Sequence, residues 1–287
     1  MNDVAVHSAR SISDRISIIN APYKLVSGLW VNRGLLAQMT RREITRRYKG
    51  SLLGLAWSFF NPLLMLSIYT FFFAVVFKSK WGASVPENKA AYAIILFAGL
   101  IMHSLMAECI NTAPTIIVGN VSYVKRVVFP LEILPCVSLG SALFHALISL
   151  IALVATQLVF MHEVQWTLIY LPLVFVPLIL EALGISWILA SLGVYVRDVS
   201  QITGTIVTIL LFLSPVFYPV TALPEAFRGW MSLNPMTFII GNAREVIVFG
   251  HAPDMAELLF VSIYAGIFAV FGYWWFQKTK KGFADVL

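Results

Sequence analysis

The stretch Arg41–Trp57, which reads RREITRRYKGSLLGLAW, joins a cationic segment directly to a long apolar one. Nine of the chain's 20 lysines and arginines lie before residue 52, and residues 52–77 then contain no charged side chain. About 20 apolar residues are enough to cross the hydrocarbon core of a bilayer, and cations beside such a span stay on the cytoplasmic side. The junction therefore predicts a membrane protein whose first span starts in the cytoplasm.

The composition of the whole chain agrees with a membrane location. Of its 287 residues, 59% are hydrophobic and 12% are charged, whereas soluble domains carry roughly 25% charged residues. The net charge of +6 lies mainly in loops beside apolar runs, where topology and anionic lipid explain it better than nucleic acid does. Residues 1–20 are polar and do not resemble a secretory signal, so we expect the first span to remain as an anchor.

Six apolar runs are long enough to be membrane spans, and a backbone that faces lipid must satisfy its hydrogen bonds within helices. They are Leu52–Phe77, Ala90–Cys109, Ile133–Met161, Leu168–Val196, Ile202–Val220 and Leu258–Phe276. With the termini inside, 15 lysines and arginines face the cytoplasm and 5 face the other side, which supports cytoplasmic termini. We expect one all-α transmembrane domain over residues 1–287: a cytoplasmic N-terminus (1–51), a membrane region (52–276) and a cytoplasmic tail (277–287).

The segment Val26–Arg47 is predicted to be an amphipathic helix at the membrane interface. Leu29, Leu36 and Met39 recur in it at near-helical spacing, with arginines between them, a pattern typical of helices that lie along a membrane surface. Gly50–Ser51 then allows a sharp turn into the first span. The alternative interpretation is a solvated basic linker that only sets topology.

The stretch Ser214–Gly250 predicts an unusual external region. Pro215 and Pro219 are expected to end or kink the fifth helix, and two later signals, Pro224–Glu225 and Asn234–Pro235, are typical of helix starts. The two short apolar helices that follow cannot cross a bilayer, but they can dip back into it if protein covers them. An ordinary external loop with amphipathic helices is the alternative.

The sequence offers little chemistry of its own. It contains no GxxxxGK[ST] motif, so any ATP-derived energy must come from another chain. We find no nucleophile–base pair and no metal-ligand spacing, and therefore predict no catalytic residue, metal or cofactor. Cys109 and Cys136 form no CxxC motif, and His103 and His145, single in apolar runs, are interpreted as packing residues.

Three of the carboxylates in or beside predicted spans are of particular interest, because ionisable groups there usually face a protein interior or a cavity. Glu108 and Glu132 are expected to cap a helix or pair near the cytoplasmic interface with Arg126 or Arg46. Glu181 lies deep in the fourth span. It could line a proton or substrate path, or form a hydrogen bond to a neighbouring helix while protonated.

Four blocks of the sequence, in this order, resemble the transmembrane subunits of type-2 ABC exporters, and more narrowly those that export O-antigen, capsule and teichoic acid polysaccharides. The blocks are Arg46–Trp57 with Asn61–Pro62, Val124–Pro135, Val196–Val199 and Ser214–Pro219. The similarity in order extends over roughly residues 35–276. It implies a permease of the bacterial cytoplasmic (inner) membrane that forms a homodimer with a channel at the dimer axis. It further implies two copies of a separate ATP-binding subunit on the cytoplasmic face, an undecaprenyl-pyrophosphate-linked polysaccharide as substrate, and no nucleic-acid partner.

The resemblance and the residue chemistry together assign four groups of site residues. The ATPase-coupling group in the second loop is Lys125, Arg126, Phe129, Pro130 and Glu132. The interface-helix group, whose arginines suit the carrier phosphate, ATPase or membrane lipid, is Arg41, Arg42, Arg46, Arg47 and Lys49. The channel-lining group is Phe59, Leu66 and Phe73, which recur at seven-residue spacing and so share one helical face, with Tyr69 close to that face. The resemblance also implies that the two short helices after the fifth span act as an external gate, and the external-gate group is Pro215, Phe217, Tyr218 and Pro219.

Two rival functions remain open at the level of sequence. One is a permease of the same fold that exports a drug or another small amphiphile. The other is a passive channel or membrane scaffold that works without an ATPase. The second loop, Gly119–Pro130, is an apolar and basic turn that suits partner docking, or else a surface helix that touches only lipid.

Overall fold

The computed structural model describes residues 20–76, 81, 89–125 and 129–287, and all regular structure in these ranges is helical, which confirms the predicted all-α class. The α-helices, numbered in chain order, are α1 (Ala21–Val31), α2 (Arg33–Tyr48), α3 (Trp57–Tyr69), α4 (Lys89–Ile116), α5 (Val121–Val124), α6 (Ile133–Met161), α7 (Leu171–Tyr195), α8 (Val199–Leu213), α9 (Glu225–Met231), α10 (Pro235–Arg244), α11 (Met255–Thr279) and α12 (Phe283–Val286). Wider π-helical turns continue α3 over Thr70–Val76 and α10 over Glu245–Phe249.

Five helical stretches in the described ranges are long and apolar enough to cross a membrane. They are Gly54–Phe72, Ala91–Ile116, Ile133–Met161, Trp166–Tyr195 and Met255–Val286, and each overlaps a predicted span. The remaining predicted span, Ile202–Val220, corresponds to α8, which has 15 residues. At 1.5 Å per residue this helix is about 22 Å long, shorter than a hydrocarbon core of about 30 Å. The count of six spans therefore stays a prediction.

Helix α8 ends where the prolines predict. The Ser214 N–H donates to the Leu210 carbonyl, Ser214 itself has extended backbone angles, and Pro215 follows. Proline has no N–H to continue the helical ladder. The chain leaves the helix here and reaches α9 through a segment that contains Pro219 and one 3₁₀ turn, Val220–Ala222.

The N-terminal helix is divided, unlike the single helix predicted over Val26–Arg47. Asn32 separates α1 from α2, and its side-chain amide donates to the Gly28 carbonyl at 2.8 Å. Asparagine competes with the helical backbone in this way, which makes it a natural break point. The predicted turn at Gly50 is confirmed, because its φ of 86° lies in the left-handed region that glycine adopts without strain.

The core is built around α4. In its most apolar part 83% of the residues are buried, whereas the figure is 11% for the stretch that includes α3. Helices α6, α7, α8 and α10 all pack on α4, and α7 packs along α11. At the closest point of that second pair, a side chain added at Gly272 would collide with the Gly184 backbone. Helix α3, by contrast, has only two buried residues, Ser58 and Leu66.

Candidate functional site

The cations of α2 and the following turn form an exposed basic surface. All five predicted interface-helix residues are exposed: Arg41, Arg42, Arg46, Arg47 and Lys49. Arg46 pairs with Glu43 one turn earlier on the same helix, at 2.7 Å. Within the described part of the chain, no ion pair engages Arg41 or Arg42. Their guanidinium groups are therefore open to a ligand or a partner.

Arg47 ties this surface to the membrane helices. Its Nη1 donates to Glu108 Oε1 of α4 at 2.7 Å, and Glu108 Oε2 lies 2.9 Å from Nδ1 of His145 on α6. The predicted pairing of Glu108 near the cytoplasmic interface is thus met by Arg47 rather than by Arg46. His145 does more than the packing predicted for it, since one ring nitrogen contacts a carboxylate. Burial raises the pKa of neighbouring Tyr48, an effect that Arg47 opposes and Glu108 reinforces.

Two clefts lie on either side of the Arg47–Glu108 pair. One, of about 660 Å³, is bordered by Arg42, Arg46 and Arg47 of α2 and by polar side chains of α4 and α6 such as Thr112 and Ser138. The other, of about 360 Å³, extends along α3 past Asn61 and Tyr69. A basic opening thus lies next to a groove that leads along the first apolar helix.

The second loop is fixed to the C-terminal tail. Tyr123 and Phe129 stack with ring centroids 4.3 Å apart, and Lys125 is exposed. Glu132 pairs with Lys280 at 3.2 Å and not with Arg46, whereas its predicted pairing with Arg126 stays a prediction. Of the other predicted coupling residues, Pro130 is half-buried, and Arg126 lies outside the described residues.

The predicted channel-lining residues are distributed unevenly. Phe59 is 41% exposed, whereas Leu66, seven residues later, is 6% exposed and packs inside the protein. Tyr69 is half-buried, with its ring centroid 6.1 Å from that of Phe217. The side chain of Phe73 lies outside the described residues. The assignment of these residues to a channel stays a prediction.

The external-gate residues lie in the segment between α8 and α9, where Pro215 is buried and Phe217, Tyr218 and Pro219 are half-buried. The Tyr218 hydroxyl donates to the Phe212 carbonyl at 2.7 Å, and the Tyr92 hydroxyl of α4 donates to the Phe217 carbonyl at 3.0 Å. The predicted cap at Asn234 is confirmed, because its side chain accepts from Met236 N at 3.0 Å and starts α10. Re-entry of α9 and α10 into the bilayer stays a prediction.

Sequence reasoning does not single out Arg244, which is one of the 5 cations that the charge count places on the side opposite the cytoplasm. This residue ends α10 and is 4% exposed. Its guanidinium donates to the carbonyls of Ile95, Pro215 and Val216 at 3.0, 2.6 and 2.7 Å. The signal for it was present, because a lone arginine in an apolar run is usually held by protein groups.

Glu181 is 8% exposed on α7, which is consistent with either of the two roles predicted for it. Within the described ranges, no group of three or more histidine, cysteine, aspartate or glutamate side chains is placed to hold a metal ion. The arrangement that the structure offers is therefore one of surfaces, clefts and packed helices.

The model of the family described as ABC-2 type transporter matches residues 34–248, a range that includes α2, the second loop and Arg244. The O-antigen export system permease protein RfbA of Myxococcus xanthus is 25% identical over 264 residues, 91% of this chain and 98% of that protein. The polysialic acid transport protein KpsM of Escherichia coli is 19% identical over 239 residues, 83% of this chain and 90% of that protein. The daunorubicin resistance ABC transporter permease protein DrrB1 of Streptomyces coeruleorubidus is 34% identical over 101 residues, 33% of this chain and 34% of that protein.

Proposed function

This chain belongs to the ABC-2 type transporter family, and we propose that it is the permease subunit of an ATP-driven exporter of a lipid-linked, O-antigen-like polysaccharide. The observation that carries the proposal is the likeness to polysaccharide permeases over nearly the full length of both chains, 91% and 98% for the Myxococcus xanthus protein. The likeness to the drug permease covers 33% of this chain. A polysaccharide is therefore a better supported substrate class than a drug.

We propose that two copies of the chain enclose the transport path. The stretch that includes α3 is 11% buried, although it lies beside a tightly packed α4. Aromatic side chains on α3, among them the exposed Phe59, could offer flat surfaces on which sugar rings slide. A second protomer placed against α3 would turn this open face into the wall of a channel.

The cytoplasmic end is proposed to hold the ATP-binding subunits, two per transporter. The end of the second loop and the end of α7 both contact the C-terminal tail. The ion pair of Glu132 and Lys280 joins the second loop to the tail, and the Tyr195 hydroxyl donates to the Thr279 carbonyl at 2.8 Å. These contacts agree with the proposed topology in one respect, because they bring the end of the second loop and the C-terminal tail to the same side of the protein. The exposed Lys125 beside the Tyr123–Phe129 stack is a suitable docking feature.

The exposed arginines of α2 are proposed to attract the pyrophosphate of the lipid carrier. Arginine binds phosphate in a bidentate manner, and Arg42 borders the 660 Å³ cleft that opens beside α4. Contact with the ATP-binding subunit or with anionic lipid competes for the same charges. The segment Pro215–Pro219 is proposed to close the path at the outer end, next to Tyr69.

The test is the ATPase activity of the chain purified with its ATP-binding partner in liposomes. We expect an undecaprenyl-pyrophosphate-linked polysaccharide to stimulate hydrolysis, and the same polysaccharide without its carrier to stimulate less. Stimulation by daunorubicin alone would identify a drug exporter instead. Failure to recover any ATP-binding subunit with the chain would favour the passive channel or scaffold. The variant Arg42→Gln should reduce stimulation by the glycolipid while the complex still assembles.

A further inference from the structure

Arg244 is a buried cation whose ligands are backbone carbonyls. Its Nε, Nη1 and Nη2 each donate to one carbonyl, those of Ile95, Pro215 and Val216. Its guanidinium carbon also lies 4.2 Å from the centroid of the Trp81 ring. In the described part of the chain, no carboxylate forms an ion pair with it. Among the described residues, the charge is therefore held by peptide dipoles and an aromatic face.

This arrangement follows from the break in α8. Because the helix ends at Leu213, the carbonyls of Pro215 and Val216 take no part in the hydrogen bonds of α8 and need other donors. The planar fork of arginine presents several N–H groups in fixed directions, so one side chain can satisfy both carbonyls and reach α4 as well. A buried cation is expensive to desolvate unless its donors find partners, and each of the three guanidinium nitrogens of Arg244 has one. The contacts thus fasten the segment after α8 to both α10 and α4.

The fastened segment presents Phe217 towards the first apolar helix. The Phe217 ring centroid lies 6.1 Å from that of Tyr69 and 6.0 Å from that of Phe212. Its carbonyl accepts from the Tyr92 hydroxyl. The position of Phe217 beside Tyr69 is therefore set by the carbonyl contacts immediately before it in the chain.

We propose that Arg244 is the positioning residue of the external gate: it holds Ser214–Tyr218 against α4, so that Phe217 closes over Tyr69. The inference rests on the proposed function in one respect, namely that this segment is the outer closure of the path. A residue needed only for folding would, when changed, lower the amount of assembled protein. A residue that positions a gate would leave assembled protein that leaks.

The test is the ATP-independent release of an entrapped hydrophilic dye from liposomes that contain the complex of the chain and its ATP-binding partner. Arg228→Gln is the matched control, because Arg228 also donates to two backbone carbonyls, those of Leu223 and Thr221, but is exposed. We expect Arg244→Gln to raise dye release by at least about ten-fold, since three charge-assisted hydrogen bonds are lost. Arg228→Gln should release dye as the unaltered complex does. Arg244→Lys should lie between them, because an ammonium cannot reproduce the fork.

Arg244→Gln protein that assembles, hydrolyses ATP and retains the dye as well as Arg228→Gln does would overturn the proposal. If Arg244→Gln does not assemble, Tyr92→Phe decides, because it removes only the hydroxyl that holds the Phe217 carbonyl. Increased release from that variant supports the gate, and unchanged release contradicts it. The assay uses neither ATP nor glycan. An unaltered complex that fails to export polysaccharide would therefore contradict the proposed function and leave the dye result standing.

Discussion

Glu108 is the residue at which the basic surface of α2 and the apolar helices meet. Its carboxylate lies between Arg47 of α2 and His145 of α6, at 2.7 and 2.9 Å. Its side chain is 18% exposed, whereas that of Arg47 is 54% exposed. Water therefore screens the Arg47–Glu108 contact more than the His145–Glu108 contact. The Arg47–Glu108 ion pair is intermediate between an exposed and a buried salt bridge.

We predict that Glu108→Gln lowers the stability of the purified subunit by about 1 kcal/mol, because one carboxylate serves both partners. Glu43→Gln is the matched control, since Glu43 pairs with Arg46 of the same helix but on the open surface. It should cost less than about 0.5 kcal/mol. Thermal unfolding in detergent measures both. Equal losses for the two variants would show that Glu108 adds nothing beyond a surface pair.

At the aromatic face of α3, we predict that Phe59→Ala combined with Tyr69→Ala reduces polysaccharide export several-fold at normal subunit levels. The reason is that an aromatic contact is worth about 0.5 kcal/mol at the lower end, so that losing two corresponds to about five-fold in rate or affinity. Phe260→Ala on α11 is the control, because that ring is 72% exposed far along the chain from α3. Export that is unchanged in the double variant would remove α3 from the transport path.

At the scale of elements, the apolar runs predicted most of the long helices, because hydrophobic length is a local property of sequence. Their ends were less predictable. Helix α4 extends past the predicted Cys109 to Ile116, because Pro114 is accommodated inside it. The break at Asn32 depends on one side-chain hydrogen bond. Such a bond differs little in energy from the backbone hydrogen bond of a continued helix, so the sequence does not show which of them forms.

The α7–α11 contact makes a prediction of its own. A side chain at Gly272 would overlap the Gly184 backbone, whereas at Gly266, on the same helix, its nearest neighbour is Leu180 Cδ1 at 4.0 Å. We expect Gly272→Ala to destabilise the subunit by about 1–3 kcal/mol through overpacking, and Gly266→Ala to have little effect.

The yield of monodisperse protein after purification and its unfolding temperature report the difference. A Gly272→Ala variant as stable as Gly266→Ala would show that the two helices separate at little cost. It would also contradict the close packing of α7 on α11.

For the whole molecule, the family and the membrane fold could be predicted from the sequence, because the four ordered blocks and the repeated apolar runs are recognisable without knowledge of the tertiary structure. The sequence did not predict the contacts that join distant segments. Arg244 contacts residues 149 and 29 positions away, and Glu132 contacts Lys280 across 148 positions. A lone charge in an apolar run indicates that some partner exists, but only the packing of helices identifies it.

The same limit applies to the proposed channel. The seven-residue spacing predicts that Phe59 and Leu66 share one face of α3. In the structure Phe59 is exposed, whereas Leu66 is buried where α3 packs against the core. The basic surface of α2, by contrast, follows from sequence alone, because all five of its predicted cations are exposed. Surface charge could be predicted, whereas the path through the membrane depends on how helices and protomers pack.

The central claim is that this chain, with its ATP-binding partner, moves a lipid-linked polysaccharide outward. The most direct measurement uses inverted membrane vesicles, whose cytoplasmic face points outward, and follows protection of labelled glycan from an added glycosidase. We predict that protection requires ATP and both subunits together, and that it is lost without the lipid carrier. Glycan that stays fully accessible to the glycosidase when ATP and both subunits are present would contradict the account.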